Sequence, residues 1–285
     1  MTLLNKLIHG FAFLSALVLL TTFSDAQDIY DIDHSKKFAS YLFRTKQYDL
    51  AINEYERIIY MSPADTNARL MLIRSYRLGN KYTAGINRIH NLYNNSMPFT
   101  ENISLEYARL LILNNNYDTA YGFLDKNTTI DHSTRSAYMI GILLLKKDWT
   151  EANNSLMFRS ASEHSGNRLY EKLAYIIEES SGLKYKKPVI AMGLSAIIPG
   201  TGKFYSKNRA DGLISFLFIA ANAWNSYRGF RKYGTESAYG WIFGSITFCF
   251  YTGNIYGSYK AAKKYNKELD EEIYNKAKDT LYNNF

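Results

Sequence analysis

The chain has 285 residues, a formal net charge of +8, one Cys and four Pro, and it is 47% hydrophobic with 15% aromatic residues. That is too apolar for a disordered chain and long enough for two ordinary domains. The lone Cys249 excludes a disulfide framework and any cysteine-based zinc or iron–sulfur site. The five His (His9, His34, His90, His132, His164) form no HExxH and no paired spacing. Neither a metal nor a cofactor is expected.

Residues 1–26 read as an export signal. Lys6 gives a positive start, residues 10–20 (GFAFLSALVLL) are apolar, and Ser24 and Ala26 are small residues placed for cleavage before Gln27. The alternative is an N-terminal anchor, but the stretch is about ten residues where a bilayer span needs ~20. No Cys follows it to carry a lipid. Charge is then divided unevenly. Residues 28–182 balance, whereas residues 183–285 hold 15 Lys/Arg against 7 Asp/Glu. A uniformly basic nucleic-acid binder would not carry its excess this way. The shift predicts a domain boundary near Gly182, so that residues 27–182, 183–266 and 267–285 form separate regions.

From about residue 34 to 165 the sequence repeats. An aromatic residue followed three places later by Ala or Gly recurs as Tyr48/Ala51, Tyr82/Gly85, Tyr117/Ala120 and Trp149/Ala152, at steps of 34, 35 and 32 residues. A polar, turn-like patch precedes each aromatic, and runs with helical periodicity flank each patch. The pattern resembles the tetratricopeptide repeat (TPR), a helix–turn–helix unit of ~34 residues. Ala39, Tyr48, Ala51, Tyr55 and Pro63 match that family's spacing best, Ala108 keeps a second small residue, and Pro98 falls one place late. An irregular helical domain with a chance period is the alternative. Residues 167–179 read as a polar capping helix.

The resemblance implies a concave face made by the first helix of each unit. In that register it would carry Lys36, Arg44, Arg74, Arg77 and Arg109, relieved by Glu106. Such a row suits a protein partner bearing an acidic segment or a terminal carboxylate, and the alternative is a solvated charged face. If the cations are exposed, reversing Arg74 and Arg77 should leave folding nearly unchanged.

Two later stretches, residues 212–227 and 237–259, carry no charge over 16 and 23 residues. They suit a hairpin of transmembrane helices, the first reaching only with Asp211 and Arg228 at its ends. Gly240/Gly244 and Gly253/Gly257 place small residues on one helix face for close packing. A buried soluble hairpin is the alternative. Ahead of them, Pro199, Gly200, Gly202, Lys203 and Tyr205 stand in a sequence that could be mistaken for a phosphate loop. Ile197 and Phe204 break that pattern. The stretch SAIIPGTGKFYSKNRADGLISFLF (195–218) resembles instead the Pro-Gly-x-Gly-x-x-Tyr segment opening a hydrophobic module in exported, repeat-bearing proteins of Bacteroidetes, with Lys203 where Gln is usual. It is also distantly similar to two-helix membrane hairpins entered through a Gly-Phe-Tyr turn. The resemblance covers residues 188–266 and implies an architecture but no activity. The cations at every junction leave orientation weakly determined; a cleaved signal would place the repeats outside the cytoplasm. Residues 263–284 mix signs at helical spacing and read as an exposed helix.

The sequence therefore predicts an all-α protein, a TPR-like solenoid followed by a C-terminal hydrophobic, transmembrane hairpin. The expected setting is the inner membrane with the repeats in the periplasm. Its function reads as a non-enzymatic, membrane-anchored scaffold that recruits a protein partner and binds no nucleic acid. A factor assisting membrane-protein insertion or envelope assembly is the alternative. An enzyme is disfavoured, because no nucleophile–base pair or cofactor loop stands out.

Overall fold

The computed structural model describes residues 31–93, 99–157 and 167–285. The export signal, its cleavage site and Pro98 lie outside the described residues, within which every regular element is helical and no strand occurs. The chain forms two compact units, residues 1–115 and 116–285. The division falls inside the repeats, at Asn115, and not near Gly182.

In the first unit, α1 (Ile32–Arg44), α2 (Tyr48–Met61), α3 (Thr66–Leu78), α4 (Tyr82–Leu92) and α5 (Glu101–Leu113) follow one another. Asp31 and Asp65 cap α1 and α3, their carboxylates accepting from the backbone N–H of His34 and Ala68 at 2.7 and 2.8 Å. Each cap satisfies an amide that the helix start would otherwise leave orphaned. The helix ends are equally specific. Lys46, Asn80 and Asn115 adopt left-handed backbone at φ 60°, 58° and 59°. After α1, the N–H of Lys46 bonds the Phe43 carbonyl and that of Gln47 bonds Leu42; Asn80 and Lys81 repeat the pattern on Arg77 and Tyr76. This is the paired closure of a helix by a left-handed residue, and it starts the next helix on the aromatic. The small residue three places later packs inward. Ala51 is wholly buried, and a Cβ on Gly85 would stand 2.9 Å from the Cβ of Tyr76. Ala39, Leu42, Ile52, Tyr55, Ile58 and Leu72 complete the core of the first turns.

The second unit opens with α6 (Tyr117–Lys126), α7 (His132–Leu145), α8 (Trp149–Met157) and α9 (Arg168–Ser181). Lys147, at φ 60°, closes α7 by the same two bonds, from its own N–H to Leu144 and from that of Asp148 to Leu143. Beyond a linker come α10 (Pro188–Ile197), the single-turn α11 (Thr201–Tyr205), α12 (Arg209–Tyr233), a 3-10 turn (Gly234–Glu236) and the long α13 (Ala238–Tyr282). The repeat turn returns once more, between α11 and α12. Lys207 has φ 60°, its N–H bonds the Phe204 carbonyl, and that of Asn208 bonds Lys203.

The structure bears on two expectations. First, the charged tail is not an exposed helix. It is the second half of α13, and it buries Ile273, Ala277 and Leu281 against α7 and α9. Every residue of α7 from Ser136 to Leu145 is consequently buried, so α9 is not the final cap. Polar bonds hold the return: Lys276 pairs with Glu179, Lys147 with Glu271 at 2.9 Å, and Asp270 accepts from the Tyr185 hydroxyl at 2.6 Å. Second, no helix among the described residues is long and apolar enough to cross a membrane. The hairpin helices α12 and α13 are long, but Asn222, Asn225, Thr247, Asn254 and several glycines lower their hydropathy.

Candidate functional site

In the first unit the five cations do not form a free strip. Glu106, on α5, is completely buried. Arg77 from α3 donates through Nε to its Oε2 at 2.6 Å, while Arg74 Nε and Arg109 Nη1 reach Oε1 at 3.2 and 2.8 Å. Three guanidiniums thus surround one carboxylate, and Arg77 is itself almost fully enclosed. Lys36 is engaged elsewhere, with Asp65 at 2.7 Å. Arg44 is exposed. Arg74, Arg77 and Arg109 come together, with Glu106 at their centre. It turns the expected strip into a charge cluster with two cations in excess, because a buried carboxylate must be paired and hydrogen-bonded.

In the second unit the helices from α10 to the middle of α13 are built inside out. Their buried positions are small or polar: Ala191, Ser195, Gly202, Gly212, Ser226, Gly229, Gly240, Asn254, Ser258 and Ala262, with Ile219 the one large apolar exception. Their large apolar side chains face outward, with Ile197 80% exposed, Ile214 65% and Phe248 68%. The interior is tied by hydroxyls. The Gly202 N–H donates to Ser195 Oγ at 2.9 Å, Ser195 and Ser258 meet at 2.6 Å, and Ser258 Oγ donates to the Asn254 carbonyl at 2.9 Å. Ser226 Oγ reaches the Gly240 carbonyl at 2.8 Å. Outward polar groups bond their own helix instead: Asn222 to the Phe218 carbonyl and Asn225 to Ala221.

The Pro-Gly-x-Gly-x-x-Tyr residues explain how this bundle starts. α10 ends before Pro199, and Gly200 takes φ +88°, a left-handed conformation that glycine adopts without cost. A Cβ on Gly202 would overlap the Ala191 carbonyl, so α11 packs backbone to backbone on α10. The Tyr205 hydroxyl accepts from the Lys187 N–H at 3.2 Å, and the Lys186 ammonium lies 4.6 Å from the centre of its ring. Motif and linker are therefore one packed corner. Asn266 of α13 fastens it from the other side, its amide bonding both the N–H and the carbonyl of Lys186 at 2.8 Å.

The four packing glycines divide. Gly240 and Gly244 admit α12 closely, with Phe230 and Ser226 in the space a side chain would take. A Cβ on Gly253 would meet nothing within 4 Å, and Gly257 faces only the stem of Lys203. The second pair is not a helix-packing stripe. Among the described residues no group of His, Cys, Asp and Glu could hold a metal ion. No protein-family model and no curated protein matches the chain.

Proposed function

We propose that this protein is a non-enzymatic, exported scaffold of the cell envelope. Its helical repeats, TPR-like in spacing, turn geometry and small-residue packing, recruit a protein partner. Its apolar bundle is held in a lipid bilayer at the inner membrane. The observation that carries this reading is the inversion of apolarity in the second unit. A water-exposed bundle would hide Ile, Phe and Leu and display Ser and Asn. This one does the reverse, with Ile197, Ile214 and Phe248 exposed, and exposed apolar surface of this kind marks interaction or membrane sites. In lipid the arrangement is economical: large apolar groups meet acyl chains, small residues let helices approach, and the polar groups, the Asn254 amide excepted, are satisfied inside or by their own backbone.

Low average hydropathy does not oppose this reading, because the polar residues that lower it are buried between helices or bonded to their own turn. The excess charge around Glu106 supports an acidic contact on the repeats, through the partly exposed Arg74. The test is retention of the intact chain on membranes through an alkaline carbonate wash. The unmodified protein should stay, and a variant with Ile214→Asp and Phe248→Asp should be released with its helicity intact. Release of the unmodified chain would refute the membrane reading.

A further inference from the structure

A cavity of about 520 Å³ opens in the apolar bundle, beside α11, α12 and α13. Ligand sites commonly measure ~300–1,000 Å³ and combine apolar walls with a few polar groups. Here the walls are Ile214, Phe218, Ile219 and Phe250, and the polar groups include Lys203 and Asn254. Asn254 is only 5% exposed, yet neither its side-chain oxygen nor its nitrogen has a hydrogen-bond partner. An amide buried without partners is costly, so the position asks for a ligand group. Lys203 has one bond, to Ser215 Oγ at 2.8 Å, and no ion pair among the described residues. Two of its three donors are left for an anion. Gly253 lines the same cavity with no side chain to fill it, and the bare Gly257 leaves room for the Lys203 stem. The second glycine pair serves this cavity, where the first serves helix contact.

We propose that the cavity binds one anionic amphiphile. Its charged head group is held by the Lys203 ammonium and the Asn254 amide, and its acyl chain lies along Phe218 and Phe250. The positive charge selects against neutral and zwitterionic heads. The unpaired Asn254 oxygen further favours a head that carries a hydroxyl donor beside its anion. A lysophospholipid and a free fatty acid share the required anion and chain, and they are the two sources to separate.

The test is native mass spectrometry of the full chain in neutral detergent. Lysophosphatidylglycerol and palmitate serve as probes, with lysophosphatidylcholine and methyl palmitate as controls. A single adduct is expected with the anionic probes, roughly tenfold tighter or better than with the controls, as befits a charge-assisted contact. Tighter binding of the lysophospholipid would identify a phospholipid source, and tighter binding of palmitate a fatty acid. Lys203→Gln should lose that preference and Lys203→Arg should keep it. Gly253→Leu, whose side chain would enter open space, should block every adduct. All three variants should survive the carbonate wash as the parent does, so failure here is separate from failure of the membrane reading. Equal binding of the controls, or full binding by both Lys203→Gln and Gly253→Leu, would overturn the proposal. So would occupation of the cavity by a co-purified protein segment instead of an amphiphile.

Discussion

Leu281 lies against the bare backbone of Gly141, so close that a Cβ at position 141 would stand 2.9 Å from the Leu281 Cδ1. About one turn away on each side, Phe285 stacks on Tyr138 at 5.8 Å between ring centres. The far end of the chain thereby closes the repeats of its own unit. Leu281→Ala should destabilise the second unit by ~2–5 kcal/mol, as expected when a buried leucine leaves a cavity. Gly141→Ala should destabilise it as well, by forcing Leu281 away. Thermal unfolding of the full chain in detergent, followed by circular dichroism, measures both. Surface variants of α13 such as Lys264→Ala serve as the control.

The same contact changes what a truncated protein should do. A chain ending at Gly182 lacks Ile273, Ala277 and Leu281, which cover α7 and α9 in the whole protein. It should unfold at a lower temperature than the intact chain and tend to associate through the uncovered apolar face. Adding a peptide of residues 267–285 in trans should restore part of the loss. A fragment that melts as the intact protein does would show that the return of α13 contributes nothing to the repeats.

Glu106 pairs with Arg74, Arg77 and Arg109 together. Removing one side of a buried charge pair typically costs ~3–5 kcal/mol, because the other side stays buried and uncompensated. Glu106→Ala should therefore shift the urea midpoint of the first unit strongly downward. Reversal of Arg77 to Glu should not fold, since it sets two carboxylates together out of water. Reversal of Arg44, which is exposed, should be close to neutral. This ordering corrects the expectation that Arg74 and Arg77 can be reversed freely.

Gly202 and Gly253 offer opposite outcomes from the same chemical change. Gly202→Ala drives a methyl into the Ala191 carbonyl, and overpacking of a rigid contact costs ~1–3 kcal/mol or more. Gly253→Ala meets open space and should be neutral or slightly stabilising, by the better helix propensity of Ala. Melting temperatures of the two variants in one detergent decide the matter.

Acid should weaken the first unit through its helix caps. The Lys36 ammonium and the Ala68 N–H hold the Asp65 carboxyl below its ordinary value, outweighing the opposing effect of partial burial. A carboxyl whose folded pKa is depressed adds stability fully above the unfolded value of about 3.9, and loses it as pH falls through the folded value. The urea midpoint should thus hold from neutral pH to about 5 and drop below about 4. Asp65→Asn keeps a capping oxygen but loses the charge, so part of that drop should vanish. An unchanged acid profile in Asp65→Asn would show that the Lys36 contact is not coupled to folding.

The order of the helices was legible from local chemistry. Aromatic spacing set where α2, α4, α6 and α8 begin, because a left-handed closing residue and an aromatic at the first helical place are features of three or four adjacent residues. The charge-free runs likewise gave the helices of the apolar module, and Pro199, Gly200 and Gly202 gave its entry turn. These signals are short-range, so the sequence carries them without help from the rest of the chain.

What the tertiary structure decided is long-range pairing. Helical periodicity shows that residues 267–282 have an apolar stripe but not what covers it, and only the fold brings Leu281 to Gly141, 140 positions away in sequence. A row of arginines reads the same whether it faces solvent or a buried Glu106, since the carboxylate comes from another helix. Hydropathy averages around a helix, so it could not tell that Ser195, Asn254 and Ser258 point inward while Ile214 and Phe248 point out. Which face is inside is set by where small residues let backbones meet, and that is a property of two helices together, not of either sequence alone.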